Sequence, residues 1–535
     1  MMNLQVQLTQ LESAQLVRRL LDDEPAYIFK HALTQDAATH SILKARRMML
    51  HRQVAQTYEK LFPERLDELS ALLAHHFEQA DEPHHALDYL QRAAEWSRRK
   101  NAHHEEANLL ARAITLAERQ ANDALLADLH ARRGKALAGL AQWQEAKQEL
   151  SLALTQLPHE QIERRIRVLL ELAQVMAWLW DMAGALQYSR QALTLAEQIG
   201  NDDLIATAMS QLAVGEVSDA RTRAGIKYFE QAFARAQNSH DPSLNYSMAF
   251  AGLTHYWLGE YSKAVELSQL AIEHATATYD NSTRVLGLAN LGMSLMGIGA
   301  YADAIQTFNK VCDFARKHQI KPLLARALAM YGGMHLDLFD YDSAERIALE
   351  ACQIGRAANF SPAVVSATID LMLNYARRGE IHCAERLIPI VADVLPKTYG
   401  SHRWIWELRF AQARAELALA NQNWDDALIF AESAKTQSDA TSRVKYRVAA
   451  GITQAQAFTA LGRDQAARAA LDAAVELARP VGDPAMFLRA AIASLAQNGN
   501  DALAAEARTI AHHVCDELPD DRLRHRFAAF VSEWV

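Results

Sequence analysis

The sequence predicts an all-α fold in which helical pairs stack into a superhelical solenoid, and two observations support this prediction. Half of the 535 residues are hydrophobic, only 7% are aromatic, and 12 prolines interrupt the chain. Such a composition favours helices packed on helices over β-sandwiches. The second observation is an internal repeat of about 40 residues. A repeat array also suits the length, because a chain of this size exceeds what one compact core covers.

A small residue, called the anchor below, marks each repeat and returns at spacings of 39 to 43 residues. The anchors are Ala146, Ala185, Gly225, Ala264, Ala304, Ala344, Ala384, Ala427 and Ala467. Twelve residues before four of these anchors stand Gly134, Gly252, Gly292 and Gly332. Glycine inside a helix costs about 1 kcal/mol relative to alanine, so its return predicts that another helix approaches closely. We expect the anchor itself to be the residue that touches the glycine.

An aromatic ring stands three residues before five anchors, where it predicts a plug at the turn between two helices. The five rings are Trp143, Tyr261, Tyr301, Tyr341 and Trp424. The positions four, seven and eleven residues after the anchor share one helical face and form the predicted buried stripe. Each repeat is therefore expected to be a helix, a tight turn and a second helix, with neighbouring repeats covering its apolar face.

The first part of the chain has a different pattern. Two short β-prone runs, residues 16–20 and 27–31, flank the polar segment Asp22–Pro25, which predicts a hairpin or wing. A helix follows, and then the segment KARRMMLHRQVAQTYEKLF predicts a longer helix that ends near Pro63.

Two resemblances follow from these motifs. Gly292, Tyr301, Ala304 and Phe308, with Val311 in the last place, resemble the tetratricopeptide repeat (TPR), although its usual period is 34 residues. Longer helices of this kind are similar to the sensor arrays of bacterial STAND-class signalling ATPases and maltose-regulator-like transcription regulators. The texts FKHALTQ and LHRQVA resemble the junction that links the ATPase to the array in those proteins.

The resemblance implies three regions and a regulatory role. It implies a winged-helix-like module over residues 1–62, a helical transition with degenerate repeats over 63–120, and a TPR-like solenoid of about ten repeats over 121–535. The chain would be the back half of such a regulator without its ATPase. The sequence has no GxxxxGK[ST], and Gly134-Lys135-Ala136 lacks both the upstream glycine and the Ser/Thr, so ATP-dependent activities do not carry over.

Charge and composition limit the kinds of partner that the sequence predicts. The formal net charge is −9 and no lysine-rich or arginine-rich tract stands out, which argues against a duplex DNA binder. The basic run Lys44, Arg46, Arg47, His51 and Arg52 leaves a DNA-contacting module as the weakest hypothesis, against a solvated or domain-docking face. Four cysteines without CxxC spacing, no signal peptide pattern and no long apolar stretch favour a cytoplasmic protein without membrane segments.

Motifs for catalysis or metal binding are missing from the sequence. The histidine pairs are His75-His76, His84-His85 and His103-His104, and none belongs to a spacing such as HExxH. There is no GxSxG, and Cys312 and Cys352 share one repeat position that suits buried thiols. We therefore expect no enzyme activity, no cofactor and no metal.

The remaining candidate is the concave groove. By the TPR resemblance, the first helix of each pair lines it through positions 18, 15, 11 and 8 before the anchor. The candidate binding residues are Tyr246, Leu253, Tyr256, Met293, Met296, Arg326, Leu336, Arg409 and Gln412. Apolar, tyrosine and methionine side chains beside polar groups suit a peptide or a partly apolar small ligand. The alternative is that these side chains pack against neighbouring helices.

These observations predict a non-catalytic interaction module of a bacterial signalling or transcription-regulation system. It would bind a protein or peptide partner, including an ATPase or regulator module. The alternative is a sensor for a small-molecule inducer. A compact pocket lined by Tyr246, Tyr256 and Arg326 would favour the sensor, and a long open channel would favour the interaction module.

Overall fold

Helices joined by short turns make up nearly all of the chain that the computed structural model describes. The described residues are 2–20, 27–119, 122–140, 142–179, 181–236, 244–398, 402–497 and 499–532. The chain forms two compact units, residues 1–161 and 162–535. Because consecutive helices pack side by side through both units, the predicted all-α, TPR-like fold is confirmed. The boundaries expected at residues 62 and 120 stay predictions.

The first unit begins with a helix that the sequence analysis did not anticipate, α1 (Met2–Ser13), followed by a small hairpin. Strand β1 (Val17–Arg19) pairs antiparallel with β2 (Tyr27–Phe29), and Val17 lies opposite Phe29. The predicted turn Asp22–Pro25 lies outside the described residues. The remaining helices of this unit are α2 (Ala32–Ser41), α3 (Lys44–Leu61), α4 (Leu66–Gln79), α5 (Pro83–Arg99), α6 (His103–Glu118), α7 (Asp123–Gly139) and α8 (Trp143–Gln156).

The basic run on α3 engages partners within the first unit. Arg52 pairs with Glu82, and Arg47 donates a hydrogen bond to the carbonyl oxygen of Thr39 at 3.1 Å. These contacts occupy two of the basic side chains that a DNA-contacting face would need. They favour the interpretation of this helix as a domain-docking face.

The second unit is a run of helical pairs. Its helices are α9 (Ile162–Trp178), α10 (Met182–Ile199), α11 (Asp202–Ser218), α12 (Thr222–Arg235), α13 (Asn245–Trp257), α14 (Tyr261–Ala277), α15 (Asn281–Gly297), α16 (Tyr301–Lys317), α17 (Lys321–Asp337), α18 (Tyr341–Ala357), α19 (Ser361–Arg377), α20 (Ile381–Glu385), α21 (Ile388–Val394), α22 (Arg403–Ala420), α23 (Trp424–Thr441), α24 (Val444–Ala460), α25 (Asp464–Ala478), α26 (Pro484–Leu495), α27 (Asp501–Glu517) and α28 (Asp521–Ser532). Helices α9, α11, α13, α15, α17, α19, α22, α24 and α26 are the first members of their pairs.

The repeat positions have defined places in these pairs. Each of the five rings is the first residue of a second helix, on α8, α14, α16, α18 and α23. The alanine anchors lie one turn further on and are buried. A second helix that begins with a ring and then presents a small residue can pack closely on its partner.

The glycines approach a different residue from the one expected. A methyl group on Gly292 would lie 2.9 Å from Cε2 of Phe308, four residues after the anchor Ala304. Gly134 and Gly252 likewise face Leu150 and Ser268 first, and only at Gly332 is the anchor's carbonyl the nearest atom. The anchor's carbonyl oxygen also lies within 3.2–3.4 Å of that position at Gly134, Gly252 and Gly332, so the anchor contacts the glycine in three of the four repeats, but through its backbone. The side chain one turn beyond the anchor fills that space, because it points back toward the first helix.

One second helix is broken. The pair that begins with α19 continues as the short helices α20 and α21, and Pro389 lies in the first turn of α21. Proline has no N–H for the helical hydrogen bond and its ring clashes with the preceding turn, so a straight second helix cannot pass through it. The longest anchor spacing, from Ala384 to Ala427, spans this break.

The second unit also folds back on itself, so that residues 187 to 222 positions apart in the chain touch along a seam. The indole N–H of Trp404 donates to the carbonyl of Val217 at 3.0 Å, and the Thr222 hydroxyl donates to the carbonyl of Thr441 at 2.9 Å. The Tyr261 hydroxyl donates to the Asp483 carboxylate at 3.1 Å. Helices α22 to α26 therefore close over α11 to α14, and the first helices enclose a space between them.

The C-terminal helix α28 is held by a strained turn. Phe339 has φ of +60°, a left-handed conformation that bulky residues rarely adopt, whereas the equivalent residues Gly259 and Gly299 are glycines. The Phe339 ring stacks on Phe530 of α28 with centroids 3.7 Å apart. Burial of these rings offsets a local strain of about 1–3 kcal/mol.

Gly292→Ala and Gly332→Ala should have opposite effects on stability. Both replacements favour helix by up to about 1 kcal/mol. At Gly292 the new methyl group collides with the Phe308 ring, and such overpacking costs about 1–3 kcal/mol, so we expect net destabilisation. At Gly332 the nearest atoms lie at 3.4 Å or more, so the helix gain should remain. Urea unfolding followed by circular dichroism measures both, and equal shifts would contradict the assigned packing.

Asp340 should make the docking of α28 sensitive to acid. Burial opposes its ionisation, but hydrogen bonds from His335, the Ser343 N–H and Arg526 of α28 outweigh burial and lower the pKa of this carboxyl. A lowered folded pKa stabilises the structure above about pH 4, and this contribution is lost as the pH falls further. Asp340→Asn should therefore cost about 1–2 kcal/mol near pH 7 and progressively less below pH 4.

Urea titrations of the wild-type chain and Asp340→Asn between pH 3 and pH 7 measure this difference. The matched control is Asp342→Asn, whose carboxylate also pairs with Arg526 at 2.6 Å but is largely exposed. An exposed pair contributes about 0–1 kcal/mol, so this control should shift stability little. A pH-independent loss in Asp340→Asn would argue against the proposed ionic contact.

Candidate ligand-binding pocket

The closed second unit contains a pocket lined by the first helices of its pairs. Its walls come from α13, α15, α17, α19, α22, α24 and α26, and Trp178 at the end of α9 adds to one side. The cavity measures about 170 Å³. The cavity lies between the first helices. It exists because α22 to α26 pack back against α11 to α14. It is therefore a product of the superhelical closure, not of any single repeat.

Seven of the nine candidate binding residues line this pocket. They are Leu253, Tyr256, Met293, Arg326, Leu336, Arg409 and Gln412. They stand 18, 15, 11 or 8 residues before their anchors, and all of them face the pocket. Their role in binding remains a prediction.

The other two candidates do not line the pocket. Met296 is buried in a hydrophobic cluster with Tyr301 and Met486, because α26 returns over this end of α15. Tyr246 stacks on Phe250, with ring centroids 5.9 Å apart, and packs against core residues. The structure thus places these two side chains in hydrophobic packing outside the pocket lining.

An aromatic cluster forms one apolar wall and also part of the seam. Trp257 packs edge-on against Trp404 with centroids 5.2 Å apart, and the His402 ring contacts Trp257 and Trp406 at 5.2 and 5.0 Å. Burial and the nearby Arg326 hold the pKa of His402 well below its usual range, so the imidazole is neutral at pH 7. Large rigid rings of this kind offer contact area to a ligand at low entropic cost.

Three ion pairs form the polar part of the lining, and each joins two helices. Arg409 contacts Asp370 at 2.6 Å, and Arg377 contacts Glu416 at 2.7 Å, so two pairs link α19 to α22. Lys445 of α24 pairs with Asp337 of α17. Because all six side chains are at most 20% exposed, each charge depends on its partner, and removal of one member would leave a poorly solvated charge uncompensated.

The pKa shifts follow this pairing. Burial alone would raise the pKa of Asp337, but Lys445 and Arg489 outweigh burial, and the pKa is lowered. Burial likewise opposes the ionisation of Glu416, yet Arg377 lowers its pKa. Asp370 differs, because burial dominates and raises its pKa despite the Arg409 contact.

Cations outnumber carboxylates in the described lining. Arg326, Arg377, Arg409, Arg443, Lys445 and Arg489 face Asp337, Asp370 and Glu416. With His402 neutral, this lining carries an excess of three formal positive charges (six cations minus three carboxylates). An excess of buried charge is costly, which makes the three cations outside the ion pairs informative.

Two of these three cations are held by the protein. Arg443 donates to the carbonyl of Trp257 at 2.8 Å and lies over the ring of Tyr256, 5.0 Å from its centroid. Arg489 donates to the carbonyl of Leu336 at 3.1 Å and lies over the ring of Phe339. Both guanidinium groups therefore act in the seam as well as in the lining.

Arg326 is the exception. Within the part of the chain that the structure describes, it has neither a carboxylate partner nor a hydrogen bond, and the titratable groups that act on it are Tyr246 and His402. Its side chain is half-buried, and the partial burial lowers its pKa from the ordinary value of an arginine, although a guanidinium remains charged at pH 7. A guanidinium that lines a pocket with its donors unused is suited to receive an anionic group.

Sequence reasoning missed several lining residues, among them Asp337, Lys445 and Arg489. Arg489 could have been identified from the sequence, because it is the only charged residue in the apolar helix PAMFLRAAIASL. A lone charge on a buried helix usually marks a partner or a site. Lys445 and Asp337 lie 108 residues apart, and only the closure brings them together.

Metal and membrane sites are not evident in the described part of the chain. No group of three or more His, Cys, Asp or Glu side chains there has an arrangement that could hold a metal ion. His51 and His76 contact each other at 2.9 Å with His75 nearby, but this cluster does not form such a group. Among the described helices, none combines the length and apolarity that a bilayer crossing requires.

Comparisons with known proteins identify the fold. No protein-family model matches the chain, and no curated protein matches it. Among solved structures, it is similar to a Rap protein in complex with the competence and sporulation factor, at 14% identity and a TM-score of 0.52. That match covers 67% of this chain and 98% of the Rap chain.

A second similar structure is the apo form of the quorum sensor NprR from B. thuringiensis, at 16% identity and a TM-score of 0.45. This match covers 63% of the present chain and 97% of NprR. The likeness to the Rap protein extends over a TPR-like array of helical pairs, and it shows that this chain has the same type of fold.

Proposed function

We propose that the second unit is a non-catalytic binding module that holds a short peptide, or an extended segment of a protein partner, in the pocket. The observation that carries the proposal is the partly open pocket lined by seven of the predicted groove residues. Apolar and aromatic walls beside a few fixed polar groups are typical of ligand sites. The TPR-like fold and the Rap protein solved with a bound factor support a peptide as the occupant.

The pocket walls are preorganised for such a role. The three interhelical ion pairs and the aromatic cluster fix the lining in place before a ligand arrives. A preorganised site pays less entropy on binding, which raises the affinity that a small contact area can reach. The regulatory context implied by the STAND resemblance remains part of this proposal.

A small-molecule sensor is the second candidate function. The pocket is compact, and Tyr256 and Arg326 line it, although Tyr246 does not. Two of the three residues that would favour a sensor are thus in place. A panel of cell metabolites scored by thermal shift tests this candidate, because a ligand that binds only the folded state raises the unfolding temperature.

Gly333→Leu should abolish peptide binding without unfolding the protein. Gly333 lines the pocket, and a methyl group there would meet only the Asp370 carboxylate, at 3.6 Å, so a larger side chain extends into the cavity. The measurement is affinity selection of an equimolar library of linear peptides of four to eight residues, with bound peptides identified by mass spectrometry. Wild-type protein should enrich a subset at least tenfold over Gly333→Leu.

Gly332→Ala is the matched control, because the adjacent glycine faces the second helix instead of the pocket. It should enrich the same peptides as the wild type. Equal enrichment by wild type and Gly333→Leu, with both folded by circular dichroism, would overturn the proposal that peptides bind in this pocket.

A further inference from the structure

We propose that the ligand is an acidic peptide and that Arg326 binds one of its carboxylates inside the pocket. This inference rests on the proposed function and specifies the chemistry of the occupant. It starts from one feature of the lining, namely a half-buried cation that no described carboxylate neutralises.

The pocket lining contains more cations than carboxylates. Each carboxylate in the described lining already has a cation, in the pairs Arg409–Asp370, Arg377–Glu416 and Lys445–Asp337. Arg443 and Arg489 donate hydrogen bonds to backbone carbonyls and lie over aromatic rings. Among the cations of the described lining, only Arg326 makes no hydrogen bond or ion pair. A cation that faces a largely apolar pocket normally has a partner, so the missing partner is expected to arrive with the ligand.

The second argument is the surroundings of Arg326. Its nearest titratable neighbours are Tyr246 and His402, and neither carries a negative charge at pH 7. His402 is held neutral by burial, so it does not compete as a second cation. In an apolar setting, a guanidinium–carboxylate contact is stronger than in water, and the planar guanidinium can donate a hydrogen bond to each of the two carboxylate oxygens. The position therefore selects a ligand with a carboxylate over a neutral one.

The third argument is the position of Arg326 relative to the apolar walls. It lies on α17, two turns before Gly333, and Met330 and Ala329 line the pocket between them. A carboxylate on Arg326 would leave the rest of a peptide against Met330, Trp257 and Trp406. The occupant that fits is a short peptide with one acidic group and adjacent apolar side chains.

The test uses the full chain and a four-part peptide library. The enriched sequences are resynthesised with a free or an amidated C-terminus, and with each Glu or Asp either kept or replaced by Gln or Asn. Affinities are measured by fluorescence polarisation at fixed salt. Loss of the critical carboxylate should weaken wild-type binding at least tenfold, and the comparison identifies it as the C-terminus or a side chain.

Three variants of the protein complete the test. Arg326→Met should remove the preference for the carboxylate while neutral peptides still bind, and Arg326→Lys should restore part of it. Without ligand, Arg326→Met should also unfold at a higher temperature, because it removes an unpaired, half-buried charge. Arg356→Met, on an exposed arginine of α18, is the matched control and should behave as wild type.

The outcomes separate this inference from the proposed function. If wild type enriches peptides that Gly333→Leu does not, yet charged and neutral versions bind equally, the pocket binds peptides and the role of Arg326 is wrong. If Arg326→Met retains the carboxylate preference, the role of Arg326 is likewise wrong. If no peptide distinguishes wild type from Gly333→Leu, the proposed function fails and this inference fails with it.

Discussion

The return of helices α22 to α26 onto α11 to α14 is the constraint on which the rest of the second unit depends. An open array of helical pairs would leave its first helices facing solvent. Closure through Trp404, Thr222 and Tyr261 places those helices around a common space instead. The hydrogen bonds at the seam end mostly on backbone carbonyls or a buried carboxylate, so they depend on helix position as much as on side-chain identity. Without the seam, neither Lys445 nor Arg489 would reach the pocket.

The repeat itself could be predicted from the sequence because each of its positions makes contacts within one helical pair. A ring at the start of the second helix and an alanine one turn later are short-range features, and they return with the period of the structure. Even the inward-facing positions could be assigned, since a helix presents the same face to the same side in every repeat. Errors arose where contacts crossed repeats. Met296 was assigned to the groove because nothing in α15 reveals that α26 covers it.

The charged lining could not be derived from the sequence for the same reason. Asp337 and Lys445 lie 108 residues apart, and the distance along the chain gives no sign that they will pair. The angle between successive repeats sets the closure, and small changes in side-chain volume accumulate over five repeats to decide it. The break at Pro389 is a further feature that the 40-residue period does not reveal, because the period continues across it. The proline itself indicates the break, since it cannot continue a straight helix.

Helix α17 and the turn after it hold two residues that the repeat alone does not explain. Phe339 takes the left-handed conformation that Gly259 and Gly299 take at the same position, and Ala220 and Gln422 also adopt it, so the unusual feature of Phe339 is its large ring. The docking of α28 accounts for that ring, which stacks on Phe530. Arg326 is a half-buried cation of the pocket lining, and none of the described residues pairs with it. Local rules are usually broken where function demands it. The strain at Phe339 is explained by the fold, so Arg326 is the conflict that remains, and its explanation has to come from what the pocket holds.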